Sequence, residues 1–477
     1  MKTYQFATKS LSQHIEWVLL LLVSILLGIW AVKETIALRN ILLACGTLLS
    51  IYYIKQELTD GRLRAVLNFW KLLPIGLIAL VFVWVLAHYF LFSINQKVQI
   101  EELMSTWLRS LLATICGLGV GLILSKHPNR INILWIGIFV SLIALIMQYI
   151  PQALMQKKLF VPNYDHYLFH LKFNIVLVGT IFLAGTSGTL IDYLRTRYDR
   201  IRLSTLWYIF YWFAGVLITL WSFVYIVNAR NGIGLSILLF IFLLTCAIRF
   251  LIKNKDKLGI RIWAYISLLT ASMLIILLFT FAQMKVNLGW ITLIDDAKIA
   301  VQIDRYPHWK YPSTMGTMGY PINSAGNRVT GNNYERIAWA VAGLRAISLY
   351  PQGVGFLAFP YSWHDNDYKN PLDNGPALPP ISTHSGWIEL GLAFGQPILA
   401  LIFLAITFTF IAATRNPYPT KMTVLSLLVL IVFLYSTGEV AINHGLEILF
   451  FFLALLPTLL LSPLKNSLEG HSIQNKV

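Results

Sequence analysis

Apolar residues in this chain come in long, nearly unbroken runs separated by short polar turns, and one long polar stretch interrupts the series late in the sequence. Runs of spanning length, roughly 20 residues, fall at 14–32, 37–54, 70–92, 106–125, 131–150, 171–190, 204–227, 233–251, 262–282, 392–414, 421–438 and 443–461. Each predicts a transmembrane helix, because a segment in hydrocarbon must satisfy its backbone donors and acceptors internally. The pattern therefore predicts an all-α polytopic membrane protein of about 12 transmembrane helices. Residues 1–282 carry spans one to nine, 283–391 form a large outer loop containing short helices, and 392–477 carry spans ten to twelve and a tail. Loops of that length are uncommon without a function.

The loop has inner structure. Ile337, Val341, Leu344 and Ser348 recur at helical spacing, which predicts a helix over Asn333–Leu349 capped by Asn332 or Asn333. Tyr350-Pro351-Gln352-Gly353-Val354-Gly355 stops it. Tyr311–Asn332 and Phe356–Pro380 read as irregular chain, and a last helix starts near Ser382 and leads into span ten. The segment 151–170 reads as a second, smaller outer loop.

Composition excludes a soluble reading. The 477 residues are 57% hydrophobic and 12% charged, with mean hydropathy +0.67, whereas soluble domains are about one quarter charged. A formal charge of +16 would suit nucleic acid, but the basic residues sit at the ends of apolar runs, so no nucleic-acid partner is expected. With the N-terminus inside, twelve spans place Lys55, Arg62, Arg64, Lys71, Lys126, Arg130, Arg195, Arg197, Arg200, Arg202, Arg249, Lys253, Lys255, Lys257, Arg261, Arg415 and Lys421 on the inner side. The short outer turns and their edges hold Lys33, Arg39, Lys97, Lys157, Lys158, Lys172 and Arg230. That asymmetry follows the positive-inside rule and puts both termini inside and the long loop outside, which in a bacterium is the periplasm. Met1–Ser12 is polar and the first apolar run is long enough to span, so no cleavable leader is expected. Cys45, Cys116 and Cys246 all lie in apolar runs, which excludes a disulfide framework. Two glycine clusters, Gly117/Gly119/Gly121 and Gly179/Gly185/Gly188, suit close helix packing.

Few residues carry chemistry. Arg230, in the short turn Asn228-Ala229-Arg230-Asn231-Gly232, is either an interfacial anchor or an anion clamp at the membrane surface. Arg336, in the first turn of the loop helix, opposes the helix dipole, so a salt bridge or a bound anion must explain it. Trp339 shares its face, and Arg345, nine residues on and roughly 180° around, reads as structural. His384 follows Ser382-Thr383, a plausible cap, which predicts a neutral ring in the first turn of the last loop helix, able to act as a general base. The free N–H groups there would welcome a phosphate. Trp387, at i+3, would stack on a sugar or lipid, or anchor at the interface; Glu389 lies on another face and would orient a partner. A transporter would need ionisable residues within the membrane; Arg109 and Glu439 are the candidates, but both sit near span ends. His364-Asp365-Asn366-Asp367 has an acid-x-acid spacing that suits a divalent ion, and Asp295-Asp296 reads as a solvated turn.

Three segments carry a resemblance. Arg230-Asn231-Gly232, Tyr334-Glu335-Arg336-Ile337-Ala338-Trp339 with Pro351-Gln352-Gly353-Val354-Gly355, and His384-Ser385-Gly386-Trp387-Ile388-Glu389-Leu390-Gly391 resemble, in order and topology, the O-antigen ligase family of bacterial inner-membrane glycosyltransferases. That superfamily includes O-antigen polymerases and protein O-oligosaccharyltransferases. The chain departs from the family pattern at Ala229, Asn231 and Ser385. The resemblance implies inverting transfer of a glycan from an undecaprenyl-diphosphate carrier to a hydroxyl of the lipid A core, at the periplasmic face, without metal or other cofactor. It implies His384 as the base, with Arg230, Arg336, Trp339 and Trp387 binding substrate among the membrane lipids. A sister enzyme would use the same donor with a glycan or protein acceptor, and a polysaccharide transporter is the non-enzyme alternative.

Overall fold

The computed structural model of the chain describes residues 2–60, 69–161, 167–169, 171–196, 203–259, 262–310, 319–324, 326–357, 383–415, 417–442 and 444–461. Their regular elements are helices, apart from one isolated antiparallel bridge between Ile322 and Arg328. In chain order they are α1 (Lys2–Ile29), α2 (Ile36–Thr59), α3 (Phe69–Leu91), α4 (Gln96–Glu102), α5 (Leu108–Lys126), α6 (Asn132–Gln156), α7 (Lys172–Thr196) and α8 (Leu203–Trp221). Then follow α9 (Arg230–Lys253), α10 (Lys255–Leu258), α11 (Ile262–Val286), α12 (Leu293–Ala300), α13 (Gly331–Leu349), α14 (Gly386–Arg415), α15 (Lys421–Thr437) and α16 (Gly445–Thr458).

Among the described residues, nine helices are long and apolar enough to cross a membrane, and the runs at 14–32, 421–438 and 443–461 form three shorter apolar helices. The chain is thus an all-α protein of the polytopic membrane kind. Burial along the apolar windows ranks the helices: α7 is central, with 89% of its window buried, whereas none of the α11 window is. Close crossings depend on the glycines. A Cβ at Gly121 of α5 would come within 2.6 Å of Thr458 Cβ, and one at Gly185 of α7 within 2.7 Å of the Trp135 ring. The expected smaller outer loop begins later than its sequence suggests, because α6 runs through Pro151 to Gln156.

One end of the bundle gathers the turns that carry chemistry. There Lys33 N–H donates to Leu168 O at 3.2 Å, Val161 to Tyr225 O at 3.3 Å and Ile94 to Val354 O at 3.3 Å. At the opposite end the basic residues pair with acids, as Arg130 does with Glu16 at 2.7 Å and Lys126 with Glu57. On the first end, α12 and α13 build a second, smaller core in which Trp309, Tyr334, Ala338 and Trp339 meet Ile388 and Leu392 of α14.

The segment expected to stop the loop helix also ties it down. Val354 and Gly355 donate to Leu392 O and Ala393 O at 3.0 and 2.6 Å, and Gln396 donates back to Pro351 O at 2.8 Å. The knot sits where α14 breaks, at Gly395 (φ 75°), and a Cβ there would meet Gln352 Cα at 2.7 Å. Only glycine suits both the left-handed backbone and the close approach. The end of α13 is thereby fixed to the short first half of α14, which follows His384.

Several expectations fall outside the described residues: Arg62, Arg64, Arg197, Arg200, Arg202 and Arg261, the Pro162, Tyr164, His166 and His170 portion of the smaller outer loop, Ser382, and the His364–Asp367 turn.

Candidate functional site

Arg230 is the first residue of α9 and is half-buried. The preceding turn is pinned by Asn228, a left-handed residue (φ 46°) whose Oδ1 accepts from Gln283 Nε2 at 2.7 Å and Asn287 Nδ2 at 3.1 Å. The Arg230 guanidinium donates to Asn333 Oδ1 at 2.5 Å. Asn333 Nδ2 in turn donates to Gly289 O and to Asp296 Oδ2, both at 2.9 Å. Asp296 is fully buried and also accepts from the Thr292 hydroxyl at 2.7 Å and the Thr330 N–H at 3.2 Å.

Two expectations are corrected here. Asn333 does not cap the loop helix: α13 begins at Gly331 and the Asn333 side chain reaches across to Arg230. Nor is Asp295-Asp296 a solvated turn. Asp295 pairs with Lys298 at 2.9 Å on the surface, while Asp296 is the buried hub that joins α12, α13 and, through Asn333, Arg230. Removing a partner from such a buried group costs about 1–3 kcal/mol.

Arg336 lies in the second turn of α13 rather than the first, and is half-buried. Burial pushes its guanidinium below its ordinary value, with the Glu439 and Glu335 carboxylates acting in the opposite sense. Its charge acts on Arg230 and, together with Arg230, on Lys172, the first residue of α7. Three cations from distant parts of the chain therefore share one neighbourhood. Among the described residues none of the three makes an ion pair. Holding cations together, partly desolvated and without a direct ion pair among the described residues, opposes folding and makes an arrangement suited to binding an anion. Arg345, by contrast, faces solvent and grips Asp304 through both guanidinium nitrogens at 2.6 and 2.8 Å.

His384 stands two residues before α14, not within its first turn. Its backbone is left-handed (φ 51°), a conformation that costs a non-glycine residue about 1 kcal/mol or more. Thr383 Oγ accepts from Ser385 N–H at 3.1 Å, and Gly386 N–H donates to Gly438 O at 2.6 Å, so the turn is locked on both sides. The lock brings His384 Nδ1 against Glu439. Glu389 holds Glu439 in place from behind: its buried carboxylate accepts from Val440 and Ala441 N–H at 2.7 and 3.1 Å. Glu389 therefore anchors the backbone of the turn that bears Glu439.

Trp339 reaches the site. Its ring centroid lies 5.4 Å from that of His384, and its indole N–H donates to Trp309 O at 3.1 Å. Trp387 does not face it. The side chain packs between Phe403 and Tyr435, donates to Val432 O at 2.9 Å and is 7% exposed. The shared face inferred from i+3 spacing is missing because His384 is not helical. Glu335 completes the rim: it accepts from Tyr320 Oη at 2.9 Å, and burial raises its carboxyl above the ordinary range against the pull of His384 and Arg336.

The structure brings together Arg230, Arg336, Trp339 and His384, and adds Lys172, Glu439, Glu335 and the Asn333–Asp296 pair. Lys172 reads in sequence only as a basic residue at a span edge. Glu439 carries a usable signal, an acid in a short turn between apolar runs. Arg109 pairs instead with Glu447 at 2.5 Å, in a separate cluster with Trp30 and His444. Among the described residues no group of three or more His, Cys, Asp or Glu could hold a metal ion. Chemically the arrangement offers a carboxylate-oriented imidazole beside a set of cationic donors. No protein-family model and no curated protein matches the chain.

Proposed function

We propose that this protein is an inverting glycosyltransferase that moves a glycan from an undecaprenyl-diphosphate carrier to a hydroxyl of the lipid A core, as an O-antigen ligase does. It acts at the periplasmic face of the bacterial inner membrane and requires no metal. The carrying observation is the convergence of Lys172, Arg230 and Arg336, none of them ion-paired among the described residues, with the His384–Glu439 pair. The family resemblance of the segments around Arg230, Arg336 and His384 supports the same reading.

In this mechanism Glu439 orients His384 through Nδ1, and Nε2 takes the proton of the acceptor hydroxyl. The hydroxyl oxygen bonds to the anomeric carbon from the face opposite the carrier, and the bond from that carbon to the diphosphate oxygen breaks. The electron pair leaves on the diphosphate, whose growing charge is met by the two guanidinium groups and the Lys172 ammonium. Trp339 supplies an aromatic wall at the reacting sugar, and the loop helices keep water from the intermediate charge distribution.

Purified protein reconstituted with carrier-linked glycan and lipid A core, with chelator present, should yield ligated lipopolysaccharide. A product on a longer carrier-linked chain or on protein would reassign the acceptor and make the enzyme a polymerase or protein oligosaccharyltransferase. No transfer to any of the three acceptors would end the reading.

A further inference from the structure

Arg230 is held by an amide rather than by an acid. Asn333 Oδ1 accepts from its guanidinium at 2.5 Å, and among the described residues no carboxylate pairs with it. A carboxylate is close by all the same. Asp296, fully buried, accepts from Asn333 Nδ2 at 2.9 Å, so it stands one side chain behind the amide. Its other donors are neutral: the Thr292 hydroxyl at 2.7 Å, the Thr330 N–H at 3.2 Å and the Asn323 amide at 3.5 Å. Thr292 and Thr330 immediately precede α12 and α13, so the carboxylate is fixed by the starts of both helices.

The chemistry of its partners decides which way round the Asn333 amide sits. Asp296 Oδ2 and Gly289 O, each 2.9 Å from Asn333 Nδ2, can only accept, and a guanidinium can only donate. The nitrogen therefore faces the carboxylate, and the oxygen faces Arg230. Gly289 has a second part: a Cβ there would strike the Arg230 guanidinium, so bare backbone forms the notch in which that group lies. An acid at position 333 would offset the cost of half-burying Arg230. It would also occupy the guanidinium and repel an incoming anion. Attraction weakens with distance, so a carboxylate set one layer back can turn the amide and leave most of the cation's charge to a ligand.

We propose that Asp296, Asn333 and Gly289 are positioning residues for diphosphate binding: Asp296 turns Asn333 so that a neutral oxygen holds Arg230 in the Gly289 notch. The inference rests on the function proposed above and adds how the site keeps Arg230 both fixed and available.

The test uses the full-length protein in detergent, with inorganic diphosphate as the probe, titration calorimetry for affinity and thermal unfolding for stability. An exchange variant, Asp296→Asn with Asn333→Asp, keeps net charge and side-chain size but moves the carboxylate against Arg230. It should melt close to wild type yet bind diphosphate at least about tenfold more weakly, the worth of one hydrogen bond to a charged group. Its deficit relative to wild type should shrink as pH falls, because the relocated carboxyl, once protonated, again presents a neutral oxygen to Arg230. Gly289→Ala leaves Asp296 and Asn333 in place and should lose a similar factor in affinity with little change in melting temperature. That variant carries the test alone where the exchange variant fails to fold. Wild-type affinity in either variant would overturn the positioning and leave the anion site standing. A deficit in the exchange variant that acid does not relieve would also overturn it. Wild-type protein that does not bind diphosphate would remove this inference and the proposed function together.

Discussion

Arg336 sits half-buried in α13 and makes no ion pair among the described residues, so removing its guanidinium separates a functional role from a structural one. At an effective dielectric near 20, unit charges roughly 8 Å apart interact by about 2 kcal/mol. Arg336 has two attractions of this kind, to Glu439 and Glu335, and two repulsions, from Arg230 and Lys172. The two sets oppose each other, and burial is the largest influence, holding the guanidinium below its ordinary value. Arg336→Ala should therefore shift stability by no more than about 1 kcal/mol, in the stabilising direction. In the transition state the same guanidinium meets the departing diphosphate, and loss of one preorganised donor typically costs about 2.7–4 kcal/mol, a rate loss of roughly 10²–10³. Arg345→Ala is the matched control: its exposed pair with Asp304 contributes at most about 1 kcal/mol, and glycan transfer should persist. Transfer would be measured in the reconstituted system and stability by thermal unfolding of the same preparations. Wild-type turnover in Arg336→Ala, or a loss of turnover that tracks a lower melting temperature, would refute the anion-binding role.

Glu439→Gln keeps the shape beside His384 Nδ1 but removes the charge that steadies an imidazolium, so kcat should fall by roughly 10²–10³ with KM little changed; steady-state kinetics at saturating acceptor would show it. Lys172→Ala should act mainly on the donor, raising its KM about tenfold, since a point charge at the diphosphate supports binding as much as departure. A kcat loss at unchanged donor KM would place Lys172 elsewhere. Glu335 concerns pH: burial raises its folded-state value, so the folded protein holds this proton more tightly than the unfolded chain does. Stability of α13 is then greatest at low pH and declines as pH rises through the window above the ordinary carboxylate value of 4.5. Glu335→Gln should flatten that decline, as read by hydrogen exchange across Gly331–Leu349; an unchanged slope would contradict the burial.

Much of the loop helix was legible because Ile337, Val341 and Leu344 repeat at helical spacing, and Gly353 and Gly355 mark its end. Its cap was misread, because Asn333 answers to Arg230 rather than to its own backbone. His384 stands out by residue type, yet its setting differs from the one its sequence suggests. A Ser-Thr pair resembles a helix cap, whereas Thr383 closes a turn that throws the histidine into the left-handed region toward Glu439. Trp387 shows the cost of extending helical spacing across that turn.

The sequence by itself determined the helices and the membrane class, since a run of apolar residues has only its own backbone to bond in hydrocarbon. Tertiary packing decided the site. Lys172, Arg230, Arg336, His384 and Glu439 lie on separate segments, and nothing local makes one depend on another. They meet because glycine crossings draw the helices together, Asp296 and Asn333 hold α13 over Arg230, and the knot at Gly395 sets that helix against the turn of His384. Charges couple through space rather than along the chain, so a cluster of cations exists only once the fold has placed it.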